Sequence, residues 1–159
     1  MTLHLDDRLL HGRILLGWAQ RLDATRFILI SERLADPALR QSYAAIAAAE
    51  GLEIACLAPG EFPARSGELA PDGFWLSDSA ESALALWRSG LRFERLVLIG
   101  LREAEGEALG EDVAVGAGSR RALDELLAAG IRIECQRYPT ADITPYRAAG
   151  GPASQGSRS

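Results

Sequence analysis

Short aliphatic runs alternate with stretches of helical periodicity along most of the chain, and this alternation restricts the possible folds more than any other feature of the sequence. The runs have the length and composition of β-strands, and they cover residues 2–5, 26–30, 52–57, 73–76, 95–99 and 131–138, with a shorter candidate at 113–115. Because helices fill most of the intervals, the strands are predicted to run parallel and to be covered on both faces. We therefore expect an α/β protein, a three-layer α/β/α sandwich around a mostly parallel sheet of six or seven strands.

Capping and turn residues divide the chain between these strands. Asp36 and Pro37 predict the first turn of one helix, and Ser119 predicts the N-cap of the last helix. Gly100 to Arg102 are predicted to form the turn that leaves the fifth strand. The acidic segment 103–111 that follows is predicted to be a solvated loop.

The length and composition favour one folded domain followed by a tail. A chain of 159 residues can bury a core without disulfides or structural metals, and it contains no internal repeat. Its last residues are rich in Gly, Pro, Ser and Arg, which favours disorder. The prediction is a single α/β domain over residues 1–147 and a disordered C-terminal tail over residues 148–159.

The charged residues exclude several classes of function. A net charge of −5 and a pI near 5.1 argue against nucleic acids and anionic membrane surfaces as partners. All 17 basic residues are arginines, so the chain has no lysine for a P-loop, a Schiff base or a pyridoxal phosphate site. Any phosphate group must therefore be bound by arginines, backbone N–H groups or hydroxyls, and no cofactor is expected.

The cysteines and the hydropathy pattern favour a reduced, cytoplasmic protein. Cys56 and Cys135 lie far apart in strand-like runs, so two reduced thiols are expected, with a disulfide as the lesser alternative. No Cys or His cluster has the spacing of metal ligands, so no metal site is expected. No apolar stretch approaches the ~20 residues that span a bilayer, and no signal peptide is recognisable. We expect a cytoplasmic protein that reaches a membrane only through its partners.

The segment Leu5–Arg13 places two carboxylates, two guanidiniums and an imidazole between the first strand and the first helix. His11 is predicted to lie at the start of that helix, where free N–H groups and the helix dipole attract phosphate. Gly12 lets a bound group approach the backbone, and Arg8 and Arg13 offer donors to phosphoryl oxygens. A neutral imidazole near pH 7 can also accept a phosphoryl group as a nucleophile.

Two structural questions stay open for this region. Asp6 and Asp7 can instead serve only to cap the turn, with Arg8 paired to one of them. His11 is then an ordinary, partly exposed side chain. The other question concerns Ser77, which either forms a second wall of a phosphate site at the same sheet edge or belongs only to the cap of the next helix.

The same segment resembles the signature of the IIB components in the mannose/sorbose family of the bacterial phosphotransferase system. That signature runs approximately Arg-Ile-Asp-Asp-Arg-Leu-Ile-His-Gly-Gln-Val, with a Trp a few residues later. The matching residues in this chain are Asp6, Asp7, Arg8, Leu9, His11, Gly12 and Trp18. Weaker likeness at 27–36 and 130–140 extends the resemblance to about residue 142.

The resemblance implies a phosphoryl carrier with a three-layer fold, assembled as a homodimer or with its partners. It implies that His11 takes a phosphoryl group on Nδ1 from a phosphohistidine of a IIA protein. The group would then pass to a sugar bound by membrane IIC and IID components. Arg8 is implied as the charge partner of His11, and Asp7 is expected to orient Arg8 or the imidazole.

Three positions differ from the family pattern. Arg13 replaces the usual Gln and adds positive charge beside the proposed phosphate, His4 replaces an Arg, and residues 98–102 have the sequence Leu-Ile-Gly-Leu-Arg in place of Asn-Val-Gly-Gly-Met. These differences motivate an alternative, a regulatory or degenerate IIB-like module that senses phosphate without serving sugar transport. A further hypothesis is an unrelated small enzyme that uses His11 as a general base on an anionic substrate.

Overall fold

A sheet of nine strands forms the centre of the structure, a computed structural model that describes residues 1–148. Residues 149–159, which include all but the first residue of the tail predicted from the sequence, lie outside the described residues. The strands of the described part are β1 (Thr2–Asp6), β2 (Arg26–Ile30), β3 (Glu53–Leu57), β4 (Phe74–Ser77), β5 (Arg95–Arg102), β6 (Glu107–Gly110), β7 (Val113–Val115), β8 (Arg132–Cys135) and β9 (Thr144–Pro145).

The sheet is mostly parallel, as predicted. Its central order is β3-β2-β4-β1-β5, and β5 pairs with β8 along its first half and with β7 at its end. Within residues 1–148, seven strands are joined by parallel pairing, whereas β6 and β9 pair antiparallel with β7 and β8 at the edges. Parallel pairing brings the C-terminal ends of β1, β4 and β5 to one edge of the sheet, which is where open α/β sheets bind ligands.

Helices cover both faces of this sheet, so the prediction of a three-layer α/β/α sandwich is confirmed. One face carries α1 (Arg13–Ala19), which is wound as a π-helix, and α2 (Pro37–Ala49). The other face carries α3 (Ala80–Arg88) and α4 (Ala117–Ala128). Asp36 accepts a hydrogen bond from the backbone at the start of α2, which confirms the predicted helix start.

Alternation along each strand divides the core between the two faces. In β2, Ile28 and Ile30 join the core beneath α3 and α4, whereas Phe27 and Leu29 join the core beneath α1 and α2. All four side chains are buried. Because both faces are covered, the strand appears in the sequence as a continuous hydrophobic run rather than as an alternating one.

Three local predictions are wrong. Gly100–Arg102 continue β5 instead of turning, because this segment is held by pairing with β7. The prediction of a loop over the acidic segment 103–111 is wrong for residues 107–110, which form β6 and pair with β7, so that one of its four glutamates, Glu107, lies on an edge strand. Ser119 is not the N-cap of α4, which is Gly116; the Ser119 hydroxyl instead donates to a carboxylate oxygen of Glu103 at 2.7 Å.

Two further features are the character of the helices and the state of the cysteines. Within residues 1–148, none of the helices has both the length and the apolar character that a membrane crossing requires. Cys56 and Cys135 are free thiols. Burial raises the pKa of the Cys135 thiol to about 11, which keeps it in its unreactive protonated form at neutral pH.

His4 is a buried histidine on the face of β1 that packs against α1. Its ring stacks on Phe74 with 4.1 Å between the ring centroids, and its Nδ1–H donates to the carbonyl oxygen of Trp75 at 3.0 Å. Burial lowers the pKa of His4 from 6.5 to about 4, and the positive charge of Arg95 contributes in the same direction. The ring is therefore neutral in the folded protein near pH 7.

We expect His4 to make the folding stability depend on pH. In the unfolded chain its imidazole takes up a proton near pH 6.5, whereas in the folded chain it does so only near pH 4. The stabilisation is therefore fully present above pH 6.5 and is lost as the pH falls towards 4. The loss at the acid limit is on the order of 3 kcal/mol. Urea unfolding at a series of pH values in this window measures it.

The matched variant for this experiment is His4→Asn, whose amide N–H can replace Nδ1–H towards the Trp75 carbonyl but does not titrate. The wild type should lose free energy of unfolding relative to this variant as the pH falls. A difference between the two proteins that stays constant over the whole window would contradict the prediction.

Candidate functional site

The loop between β1 and α1 carries the predicted site, and two buried leucines hold it in place. Leu9 and Leu10 pack in the core beneath α1. Leu9 has a left-handed backbone with φ of 56°, and its N–H donates to the carbonyl oxygen of Asp6 at 2.9 Å. This conformation is costly for a residue with a side chain, so it depends on the surrounding packing. It turns both leucines inwards and leaves Arg8 and His11 at the surface.

Asp6 holds the His11 ring by one of its two nitrogens. Nε2 of His11 is buried and lies 2.9 Å from Oδ1 of Asp6, whose side chain is fully buried. The negative charge of the carboxylate stabilises a proton on the nearer ring nitrogen, so this contact favours the tautomer that carries the proton on Nε2. Nδ1 then keeps its lone pair and is the nitrogen available for reaction, on a side chain that is 16% exposed.

The position of Asp6 depends on an irregularity where β1 pairs with β5. Leu5 pairs with Leu98 but Asp6 pairs with Gly100, so one residue of β5 is skipped. The backbone N–H of Arg8 donates to Oδ1 of Asp6 at 3.0 Å. A Cβ atom on Gly100 would lie 2.9 Å from Oδ2 of Asp6. Glycine is thus required here because a side chain would displace the carboxylate.

An open cleft of about 540 Å³ lies in front of His11 and brings together four of the predicted residues. Besides His11, its border includes Arg8, Gly12 and Arg13, together with Tyr138 from the segment after β8. The presence of this cleft argues against the alternative in which the loop is only a capped turn. The site offers an imidazole, guanidinium donors and space for an anion of phosphate size.

The two arginines of the cleft are held differently. The Arg8 side chain is about half exposed, with Nε 4.0 Å from Oδ1 of Asp6, so its guanidinium can reach a group bound at the surface. Arg13 is mostly buried, with Nη2 2.8 Å from Oδ2 of Asp112. A Cβ atom on Gly12 would meet no atom within 4 Å, so packing does not explain a glycine at this position.

Asp7 and Ser77 do not take part in this group. The Asp7 carboxylate accepts hydrogen bonds from the backbone N–H of Arg102 at 2.9 Å and from its guanidinium at 3.0 Å. The prediction that Asp7 orients Arg8 or the imidazole is therefore wrong, and Asp6 occupies that position. Ser77 is fully buried and donates its hydroxyl to the carbonyl oxygen of Ile30 at 2.6 Å, so it does not form a wall of the cleft.

Strand alternation could have identified Asp6 from the sequence. Leu3 and Leu5 point towards the core beneath α3 and α4, so His4 and Asp6 must point to the opposite face, where α1 and His11 lie. Asp112 and Tyr138 offer no comparable pattern, because they reach the site from distant parts of the chain. Within residues 1–148, no group of three or more His, Cys, Asp or Glu side chains is arranged to hold a metal ion.

Comparisons with known proteins agree with this geometry. The sequence profile of the family described as "PTS system sorbose subfamily IIB component" matches residues 1–149. The sorbose-specific EIIB component of Lacticaseibacillus casei is 24% identical over 149 residues, which cover 87% of this chain and 89% of that protein.

Solved structures show the same fold. The N-acetylgalactosamine-specific IIB component 1 from Escherichia coli superposes with a TM-score of 0.81 at 17% identity, covering 92% of this chain and 98% of that chain. The IIBSor domain of the sorbose permease from Klebsiella pneumoniae superposes with a TM-score of 0.75 at 20% identity, covering 89% of this chain and 90% of that chain.

We expect Gly100→Ala to release the His11 ring. The added Cβ would stand 2.9 Å from Oδ2 of Asp6, so the carboxylate must move and its contact with Nε2 weakens. The ¹⁵N shifts of the His11 ring should report a single Nε2–H tautomer in the wild type and a mixture of tautomers in the variant.

Gly12→Ala is the matched control, because it adds the same methyl group within the same loop but into open space. It should leave the tautomer of the His11 ring unchanged. An unchanged tautomer in Gly100→Ala as well would show that the bulge in β5 does not position the carboxylate.

Proposed function

Because the chain belongs to the sorbose subfamily of IIB components of the phosphotransferase system, whose profile matches residues 1–149, we propose that it carries phosphoryl groups on His11. In this proposal His11 accepts the group from a phosphohistidine of a IIA protein. The group then passes to a sugar bound by membrane IIC and IID components during uptake. Arg8 and Arg13 bind the phosphoryl oxygens, and Gly12 leaves room for them.

The fixed ring of His11 is the observation that carries this proposal. The chain has two histidines, and His4 is only 6% exposed and packed between aromatic rings. His11 borders an open cleft with two arginines, and its Nε2 is occupied by Asp6. Nδ1 is thus the histidine nitrogen that a phosphoryl donor can reach.

The proposed transfer needs little more than positioning and charge stabilisation. The lone pair on Nδ1 attacks phosphorus, the bond from phosphorus to the donor imidazole breaks, and that bond's electrons return to the donor. As positive charge develops on the His11 ring, the Asp6 carboxylate, 2.9 Å from Nε2, stabilises it electrostatically. In the second step a sugar hydroxyl oxygen attacks phosphorus, and the bond from phosphorus to Nδ1 breaks with its electrons returning to the His11 ring. The hydroxyl proton passes to water or to a base beside the sugar, and His11 returns to its neutral form.

A protein donor needs a surface to dock on, and the rim of the cleft offers one. Leu16 and Tyr138 are 66% and 37% exposed, although both are large hydrophobic residues, and both border the cleft. Exposed apolar side chains around a reactive group are typical of surfaces that bind another protein. We propose that the protein works in the cytoplasm beside its membrane partners; assembly as a homodimer stays a prediction.

We expect a mixture of phosphoenolpyruvate, the general carrier proteins of the system and a IIA protein to leave one acid-labile phosphate on this chain. The label should be lost in His11→Ala, because no other exposed histidine is available. It should be retained in His4→Asn, which removes the other imidazole and serves as the control. Mass spectrometry under neutral conditions locates the label, and a label that persists in His11→Ala would overturn the assignment.

The alternative, a phosphate-sensing module that is not coupled to transport, is favoured by the extra guanidinium of Arg13 in the cleft. A phosphoryl group that is bound more tightly before transfer is transferred less readily. The test uses vesicles that carry the IIC and IID components, the phosphorylated protein and a hexose. For a carrier we expect the phosphate to appear on the sugar, with Arg13→Gln at least as fast as the wild type. Phosphorylated protein that never yields sugar phosphate would favour the sensing module.

A further inference from the structure

The turn between β6 and β7 contacts Arg13, one of the residues that border the cleft. Asp112 lies in this turn with a left-handed backbone, φ of 63°, and its carbonyl oxygen accepts a hydrogen bond from the N–H of Leu101 at 3.0 Å. That bond fixes the turn to β5 directly beside Gly100, the residue that makes room for Asp6. The position of the Asp112 carboxylate is therefore set by the sheet.

Asp112 binds two arginines with a single oxygen. Its Oδ2 lies 2.8 Å from Nη2 of Arg13 and 2.8 Å from Nε of Arg137. The ring of Tyr138 lies near both guanidiniums, with 5.4 Å from its centroid to Arg13 and 5.5 Å to Arg137. The Asp112 carboxylate and the Tyr138 ring together restrict the orientation of the Arg13 guanidinium.

One terminal nitrogen of the Arg13 guanidinium, Nη1, takes no part in these contacts. Nη1 is buried and has no hydrogen-bond partner among the described residues. A Cβ atom on Gly100 would lie 3.6 Å from this nitrogen and 2.9 Å from Oδ2 of Asp6, so both atoms lie beside Gly100. Oδ2 of Asp6 is likewise buried without a hydrogen-bond partner among the described residues. A buried N–H without a partner is costly, and such groups often mark the position of a bound group.

We propose that Asp112 is a positioning residue that holds the guanidinium of Arg13 at the border of the cleft, where it contacts the phosphoryl group carried by His11. This inference rests on the proposed function. An arginine held in advance binds an oxyanion without first losing the freedom of its long side chain. The two guanidiniums on Oδ2 offset the charge of Asp112, which reduces its repulsion of the phosphoryl group.

The test is a double-mutant cycle with a small phosphoryl donor that needs no partner protein. Phosphoramidate transfers its phosphoryl group to Nδ1 of His11 and releases ammonia, and ³¹P NMR follows the product. Asp112→Asn should slow labelling about tenfold, Arg13→Gln should slow it by a similar factor, and the double variant should be no slower than Arg13→Gln alone. Asp112→Asn and Arg13→Gln should each also shift the ³¹P signal of the phosphohistidine.

The matched control is Glu111→Gln, which changes the neighbouring carboxylate of the same turn. Oε1 of Glu111 lies 2.6 Å from Nη1 of Arg137 and forms no ion pair with Arg13, so this variant should label at the wild-type rate with an unshifted ³¹P signal. Equal slowing by Asp112→Asn in the wild type and in Arg13→Gln would mean that Asp112 acts only through the fold, and would overturn the proposal. Faster labelling of Asp112→Asn would overturn it as well.

A second measurement covers the case in which Asp112→Asn does not fold. In the wild type, phosphorylation of His11 should shift the ¹⁵N signals of the Arg13 guanidinium. The signals of Arg92, which stacks on Trp87 before the N-terminal end of β5, should stay unchanged. Arg13 signals that do not respond overturn the proposal. Failure of the IIA protein to label His11 would instead defeat the proposed function, so the two failures are distinguishable.

Discussion

A buried carboxylate beneath one imidazole is the interaction on which the site depends. Asp6 ends β1 inside the protein, where a charged group is costly unless it has partners, and it finds them in the His11 ring and the N–H of Arg8. The contact distinguishes the two ring nitrogens of His11, because Nε2 is enclosed beside the carboxylate. The skipped residue in β5 and the missing side chain of Gly100 make that burial possible.

Much of the fold could be predicted from the sequence, because the period of the hydrophobic residues reports directly which faces are buried. That period located the central strands and the two helical layers, but it could not show that part of a segment rich in glutamate would form β6, since an edge strand needs no apolar pattern. The site was predicted in part. His11, Arg8, Gly12 and Arg13 meet at one cleft, whereas the carboxylate beside the His11 ring is Asp6 instead of the expected Asp7, and Asp112 joins through long-range pairing.

The two arginines that border the cleft differ in how firmly their side chains are held, and this difference suits two different roles in the proposed transfer. Arg8 is half exposed and lightly held, which suits a group that must follow a phosphoryl group from one protein to another. Arg13 is tied to Asp112 and flanked by Tyr138, which suits a fixed contact. Because the chain has no lysine, the side-chain cations available for the proposed binding of phosphate are arginines. Their planar guanidiniums can donate two parallel hydrogen bonds to two phosphoryl oxygens.

The left-handed Leu9 gives the loop a property that a glycine there would not. A glycine could leave this backbone conformation as easily as it adopts it, whereas Leu9 is anchored in the core and would expose its side chain by doing so. The backbone of the loop that carries His11 is therefore expected to be rigid at Leu9. In the proposed transfer, adjustment on this side of the interface is then left to exposed side chains such as that of Arg8, while the backbone of the loop keeps its folded position.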